Sequence, residues 1–121
     1  MKTKTVFVYI NGVADQASFD KEIFIPFTVD EIILKSYTIA DYSTGNAKMA
    51  VLKTNLVPDS ILLSTCMAQD ATVFVNSIFQ VPSIRINGTY NFYWTKFNNE
   101  PLTDISNFLT DIILQFMFVQ Y

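Results

Sequence analysis

Short runs rich in β-branched and aromatic residues recur along the whole chain, each stopped by a turn dipeptide, a proline or a polar cluster. Nothing else in the sequence constrains the fold as strongly. Thr5–Ile10 ends at Asn11-Gly12, a strong turn signal. Ser18–Val29 is interrupted by Pro26, which marks an edge strand or a bend. Glu31–Asp41 is the longest clean run, followed by the polar loop Tyr42-Ser43-Thr44-Gly45-Asn46. Ala47–Leu56, Ser60–Met67 and Thr72–Gln80 read as three more strands; Pro82 and Asn87-Gly88 then bound a short connection. Thr89–Phe97 is the most aromatic strand, and Phe108–Gln120 is the eighth. Asp104, Ser106 and Asn107 can also cap a short helical turn within Leu102–Leu114.

Strands at roughly even spacing with turns between them predict an all-β chain, one β-sandwich domain over residues 1–121. About eight antiparallel strands of this length fit a single jelly roll of two four-stranded sheets. If that count is off by a strand, an immunoglobulin-like sandwich is the nearest substitute. A domain of 121 residues can hold its core without disulfides or metals. Cys66, the single cysteine, lies among apolar residues and reads as a small buried hydrophobe.

Within the strands, the pattern departs from simple apolar-in, polar-out alternation. In the seventh, Tyr90, Phe92 and Trp94 point one way, and Tyr93 and Phe97 the other. In the eighth, Ile112, Leu114, Phe116 and Phe118 share one face, and Ile113, Met117 and Val119 the opposite one. One face of each needs cover beyond the sandwich core, and a neighbouring copy supplies it most simply. Tyr93, Trp94, Phe97, Phe116 and Phe118 are the expected contact residues. The low charged fraction, 16% against about 25% in ordinary domains, points the same way.

The same composition excludes much chemistry. There is no histidine, so a Ser-His-Asp or Cys-His site is ruled out and the commonest transition-metal ligand is missing. The carboxylate pairs available to acid–base work are Asp30 with Glu31, Asp20 with Glu22, and Asp104 with Asp111. Neighbours on a strand point to opposite faces, which separates Asp30 from Glu31; Asp20 and Glu22 share a face but read as solvated. The oxygens around Gly45, and those of Asn98, Asn99 and Glu100, lack calcium-loop spacing and read as polar turns. The glycines lie in turns and form no phosphate loop, and Asn87-Gly88-Thr89, though a formal glycosylation sequon, reads as a turn. With a net charge of −3 and eight scattered cations, no basic stripe exists for nucleic acid or an anionic membrane. The longest apolar stretch, Leu109–Tyr121, is broken by Asp111, Gln115 and Gln120 and falls short of the roughly 20 residues of a spanning helix. Val6–Ile10 is too short for the core of a signal peptide. The expectation is a protein with no enzymatic activity, no cofactor, no metal and no small-molecule substrate.

The segments Ile86-Asn87-Gly88-Thr89-Tyr90-Asn91-Phe92 and Phe116-Met117-Phe118-Val119 give the chain a further likeness, which Phe27-Thr28-Val29-Asp30-Glu31-Ile32-Ile33-Leu34-Lys35 shares. In these stretches it resembles the small single jelly-roll capsid and minor virion proteins of protist-infecting large DNA viruses, virophages and polinton-like viruses. The residue usage, rich in Ile, Asn, Phe, Tyr and Lys, suits the AT-rich genomes of such viruses. The likeness is one of texture across most of the chain and carries no functional residue with it. It implies a minor virion component: a penton-type subunit, a cement protein or a piece of a spike. Such a protein is made in the host cytoplasm without a signal peptide. Its partners are copies of itself, as trimer or pentamer, and other capsid proteins. The competing expectation is a trimeric fibre-head-like module that recognises a glycan or host surface protein through an aromatic and amide patch at Trp94, Asn98 and Asn99.

Overall fold

The computed structural model describes residues 1–11, 16–41, 49–57, 61–66, 71–96 and 110–121. Phe97, Asn98, Asn99, the loop around Gly45 and residues 102–109 of the expected helical turn lie outside the described residues. Among the described residues eight strands follow one another: β1 (Lys2–Ile10), β2 (Ser18–Phe24), β3 (Val29–Asp41), β4 (Met49–Thr54), β5 (Ile61–Cys66), β6 (Ala71–Ile84), β7 (Asn87–Thr95) and β8 (Thr110–Gln120).

They form two four-stranded sheets, β1-β8-β3-β6 (sheet A) and β2-β7-β4-β5 (sheet B), with every pairing antiparallel. Each strand of the first half pairs with its counterpart in the second: β1 with β8, β2 with β7, β3 with β6, β4 with β5. The chain is thus a long antiparallel ribbon rolled upon itself, a jelly roll.

The sequence shows where the ribbon bends. The single apolar run expected over Ser18–Val29 divides at Pro26 into the end of β2 and the start of β3. Ile23, Ile25, Phe27 and Val29 stay buried while Phe24 and Pro26 face solvent, so alternation continues as the chain passes from sheet B to sheet A. Proline at the bend sacrifices no ladder hydrogen bond. The returning half crosses alongside: the Ile25 N–H donates to the Ile86 carbonyl at 2.8 Å, and Ile86 is itself buried. The expected turn residues Asn87 and Gly88 instead open β7, paired with Phe24 and Ile23. β6 also runs further than expected, to Ile84, and takes in Pro82. It is an edge strand, where a missing N–H can face solvent.

The inward faces meet in one core. Val8, Ile10, Ile32, Leu34, Ile112 and Leu114 of sheet A pack against Phe19, Ile23, Ala50, Leu52, Phe92 and Trp94 of sheet B. The Phe92 and Phe116 rings, from opposite sheets, stand 6.4 Å apart at 50°, and Phe118 extends the aromatic cluster 6.0 Å from Phe116. Burying each such side chain contributes about 1.5–3 kcal/mol.

A candidate interaction face on sheet A

A bulge determines which side chains leave the core. On β3, Leu34 pairs with Phe116 and Ser36 with Gln115, so Lys35 is an extra residue. It switches the inward set from Ile32 and Leu34 to Tyr37 and Ile39. The facing edge strand accommodates the irregularity with Val75 and Asn76 between its paired residues, Asn76 taking a positive φ of 50°.

Strand register then lays out the outer face of sheet A in rows running from β1 through β8 and β3 to β6. Tyr9, Ile113, Thr38 and Thr72 form one row; Phe7, Gln115, Ser36 and Phe74 the next. Thr5, Met117, Ile33 and Ile78 follow, then Thr3, Val119, Glu31 and Gln80. Phe74 is 77% exposed and Phe7 65%, and Ile78, Tyr9 and Ile113 are exposed as well. Between these two apolar margins the polar groups bond to each other: Ser36 Oγ donates to Gln115 Oε1 at 2.9 Å, and the Thr38 and Thr72 hydroxyls meet at 3.1 Å.

Glu31 is the carboxylate of these four rows and is only 6% exposed; the face continues past Ile113 to half-buried Asp111, paired with Ala40, and half-buried Lys35 stands at the bulge. Gln80 Nε2 donates to one Glu31 oxygen at 2.6 Å and the Tyr121 hydroxyl to the other at 2.9 Å. Asp30 beside it accepts from Ser83 Oγ at 2.6 Å and from the Tyr121 backbone N–H at 2.9 Å. The expected separation of Asp30 from Glu31 therefore does not hold, because both reach Tyr121. The register irregularity between Val29 and Glu31 breaks the alternation that would part them. The bonds from Ser83 and Tyr121 hold the Asp30 carboxyl below its ordinary pKa, while the bond to Glu31 raises that of the Tyr121 phenol. Neutral donors bond to all four carboxylate oxygens, an arrangement that anchors Tyr121.

The outer face of sheet B has a different chemistry. Ser18, Asp20 and Glu22 of β2 lie beside Tyr93, Asn91 and Thr89 of β7, with Lys53 of β4 next to Tyr93. Asn91 Nδ2 lies within hydrogen-bond distance of Ser18 Oγ (2.7 Å), Asp20 Oδ1 (2.9 Å) and the Phe19 carbonyl (3.4 Å). Its backbone N–H donates to Asn55 Oδ1 at 2.9 Å. At one end of this sheet an open cleft of about 420 Å³ is lined by Glu22, Ile23, Phe24, Asn87 and Gly88. One carboxylate and one amide do not make a convergent polar site there. Among the described residues no group of histidine, cysteine, aspartate or glutamate is arranged to hold a metal ion.

Three of the residues expected to make contacts belong instead to the interior. Phe116 and Phe118 are fully buried and Trp94 is 2% exposed, all within the core cluster. The reason is topological. β7 and β8 are each flanked by strands on both sides, and their most aromatic face is the one turned inward. Tyr93 does point outward, half-buried on sheet B. Phe97, Asn98 and Asn99 lie outside the described residues. Among the described residues, sheet A exposes Phe7, Tyr9, Phe74, Val75 and Ile78 on its edge strands and Ile113 on β8, sheet B exposes Phe24 on its edge strand β2, and Met1 and Tyr121 are exposed at the two ends. One sequence signal points to those of β6, which is fourteen residues long without a single charge. Compared with protein-family models and with curated proteins, the chain matches none.

Proposed function

We propose that this chain is a structural subunit of a virus particle, a minor capsid, penton, cement or spike component that works by associating with copies of itself and docking on other capsid proteins. The observation that carries the reading is the outer face of sheet A, which exposes Phe7, Tyr9, Phe74 and Ile78. Solvent favours covering such a face, and the centres of protein interfaces are likewise aromatic and depleted in charge. The virion assignment rests on the resemblance of Ile86–Phe92, Phe116–Val119 and Phe27–Lys35 to small capsid proteins; the jelly-roll strand order agrees with it, although the fold alone does not choose a function. The test is the solution mass by light scattering after size exclusion. A defined multiple of the 13.8 kDa chain is expected. A monomer at every accessible concentration overturns self-association.

A further inference from the structure

Asn87-Gly88-Thr89 does not turn the chain; it opens β7, with Asn87 and Thr89 on the outer face of sheet B. We propose that Asn87 is an acceptor for an N-linked glycan, and that the exposed ring of Phe24 seats the first sugar. Asn87 is the sole asparagine of the chain followed two residues later by serine or threonine. Residues i and i+2 of a strand share a face, so the amide and the hydroxyl of the motif project together, and both residues are exposed. The asparagines nearby are engaged, Asn91 by Ser18 and Asp20, and Asn55 by the Asn91 backbone. Among the described residues no side-chain hydrogen bond holds Asn87. Phe24 completes the site. It is 56% exposed and stands directly opposite Asn87 in the register of β2 and β7. The next pair, Ile25 and Ile86, is joined backbone to backbone, so Phe24 and Asn87 form a non-hydrogen-bonded pair. Side chains of such a pair stand closest, with Cβ atoms about 4.5–5.5 Å apart. A sugar on Asn87 therefore meets this ring first. The C–H face of a sugar is apolar and slightly positive, and the face of a phenyl ring is negative. The adjoining open cleft of about 420 Å³ gives the sugar room. It has no convergent polar groups, and a covalently held sugar needs none. The linkage forms when the Asn87 amide nitrogen attacks C1 of an oligosaccharide carried on a lipid diphosphate. The N–C1 bond forms, the C1–O bond to the diphosphate breaks, the lipid diphosphate leaves, and the amide gives up one proton. The chain must then enter a compartment that holds this donor, in place of the cytoplasm expected from the resemblance. A glycan on sheet B leaves the outer face of sheet A free for association.

The experiment expresses the full chain in a eukaryotic cell behind a cleavable secretion signal and reads the mass of the purified protein, from medium or lysate. Circular dichroism monitors folding. The wild type should carry a glycan on the Asn87 peptide that peptide-N-glycosidase removes. Asn87→Gln and Thr89→Ala should carry none, and Thr89→Ser should retain it. A folded wild type with unmodified Asn87 overturns the proposal. Thermal unfolding then tests the seat. The glycosylated wild type should melt roughly 2–4 °C above Asn87→Gln, the shift that one aromatic contact makes in a domain of this size. Phe24→Ala should abolish that difference while leaving the glycan in place. Phe24 is exposed, so this variant keeps its core. A difference that survives Phe24→Ala, or no difference at all, overturns the role of Phe24.

Discussion

The two outer faces of this sandwich are built from strands of similar length over one shared core, yet they meet water in opposite ways. Sheet B sets Ser18, Asp20, Glu22, Thr89, Asn91 and Lys53 outward beside Tyr93 and the exposed Phe24, and ties Ser18 and Asp20 together through the Asn91 amide. Sheet A spends most of its own on Phe7, Tyr9, Ile113, Phe74 and Ile78, and holds Ser36 with Gln115, Thr38 with Thr72 and Glu31 with Gln80 in hydrogen bonds of their own. Side chains alternate along every strand, so the difference lies in what was placed at the outward register and not in the backbone. The lesson is that burial and exposure alone do not separate core from interface here. Phe116 and Phe74 are equally apolar; Phe116 points inward from a central strand into the shared core, and Phe74 points outward from an edge strand.

The largest test of that distinction is truncation. Phe116→Ala removes a ring shared by both sheets and should cost about 3–5 kcal/mol of folding stability. Phe74→Ala removes an exposed ring and should change monomer stability by no more than about 0.5 kcal/mol. Urea unfolding of the two variants measures both, and comparable losses would break the assignment of Phe74 to the surface. A middle-sized effect belongs to sheet B. Asn91→Ala deletes the amide that bridges Ser18 and Asp20, and should destabilise by about 1 kcal/mol. Its effect on the oligomer should be nil, which sharpens the contrast between a face stabilised by its own bonds and one awaiting cover.

The fold was largely legible. Turn signals and alternating runs placed eight strands, and the paired rolling of a jelly roll followed from their number and length. The contact residues were less so, for a physical reason. Aromatic density marks where apolar surface is removed from water, but the sandwich interior and a partner both remove it. Trp94, Phe116 and Phe118 drew attention because their strands are the most aromatic, and central strands need that density for the core. Edge strands announce themselves differently. β2 carries Asp20, Lys21 and Glu22, the charged blunting expected of an edge. β6 carries none, and that absence was the readable sign. The bulge at Lys35 was not readable, since an extra residue only shows itself against the strand that it is paired with.

The smallest effect probes the two carboxylates that anchor Tyr121 at the end of sheet A. Asp30 is held below its ordinary value of 3.8 by Ser83 and the Tyr121 backbone, so its stabilising contribution is complete above that value and is lost as pH falls through the lower, folded one. Tyr121 shifts the other way: raised above 10.0 chiefly by its bond to Glu31, it stabilises fully below that value and ceases to do so as pH rises through the folded one. Tyr121 should therefore stay anchored across the neutral range and loosen at both extremes. Hydrogen exchange of the Tyr121 amide, which Asp30 accepts, reports the acid limb, and the onset of phenolate absorption reports the basic one. Asp30→Asn should abolish the acid limb alone, and Tyr121→Phe the basic limb alone. An anchor that loosens at neutral pH would break the assignment of Asp30 and Glu31 as the two acceptors that hold Tyr121.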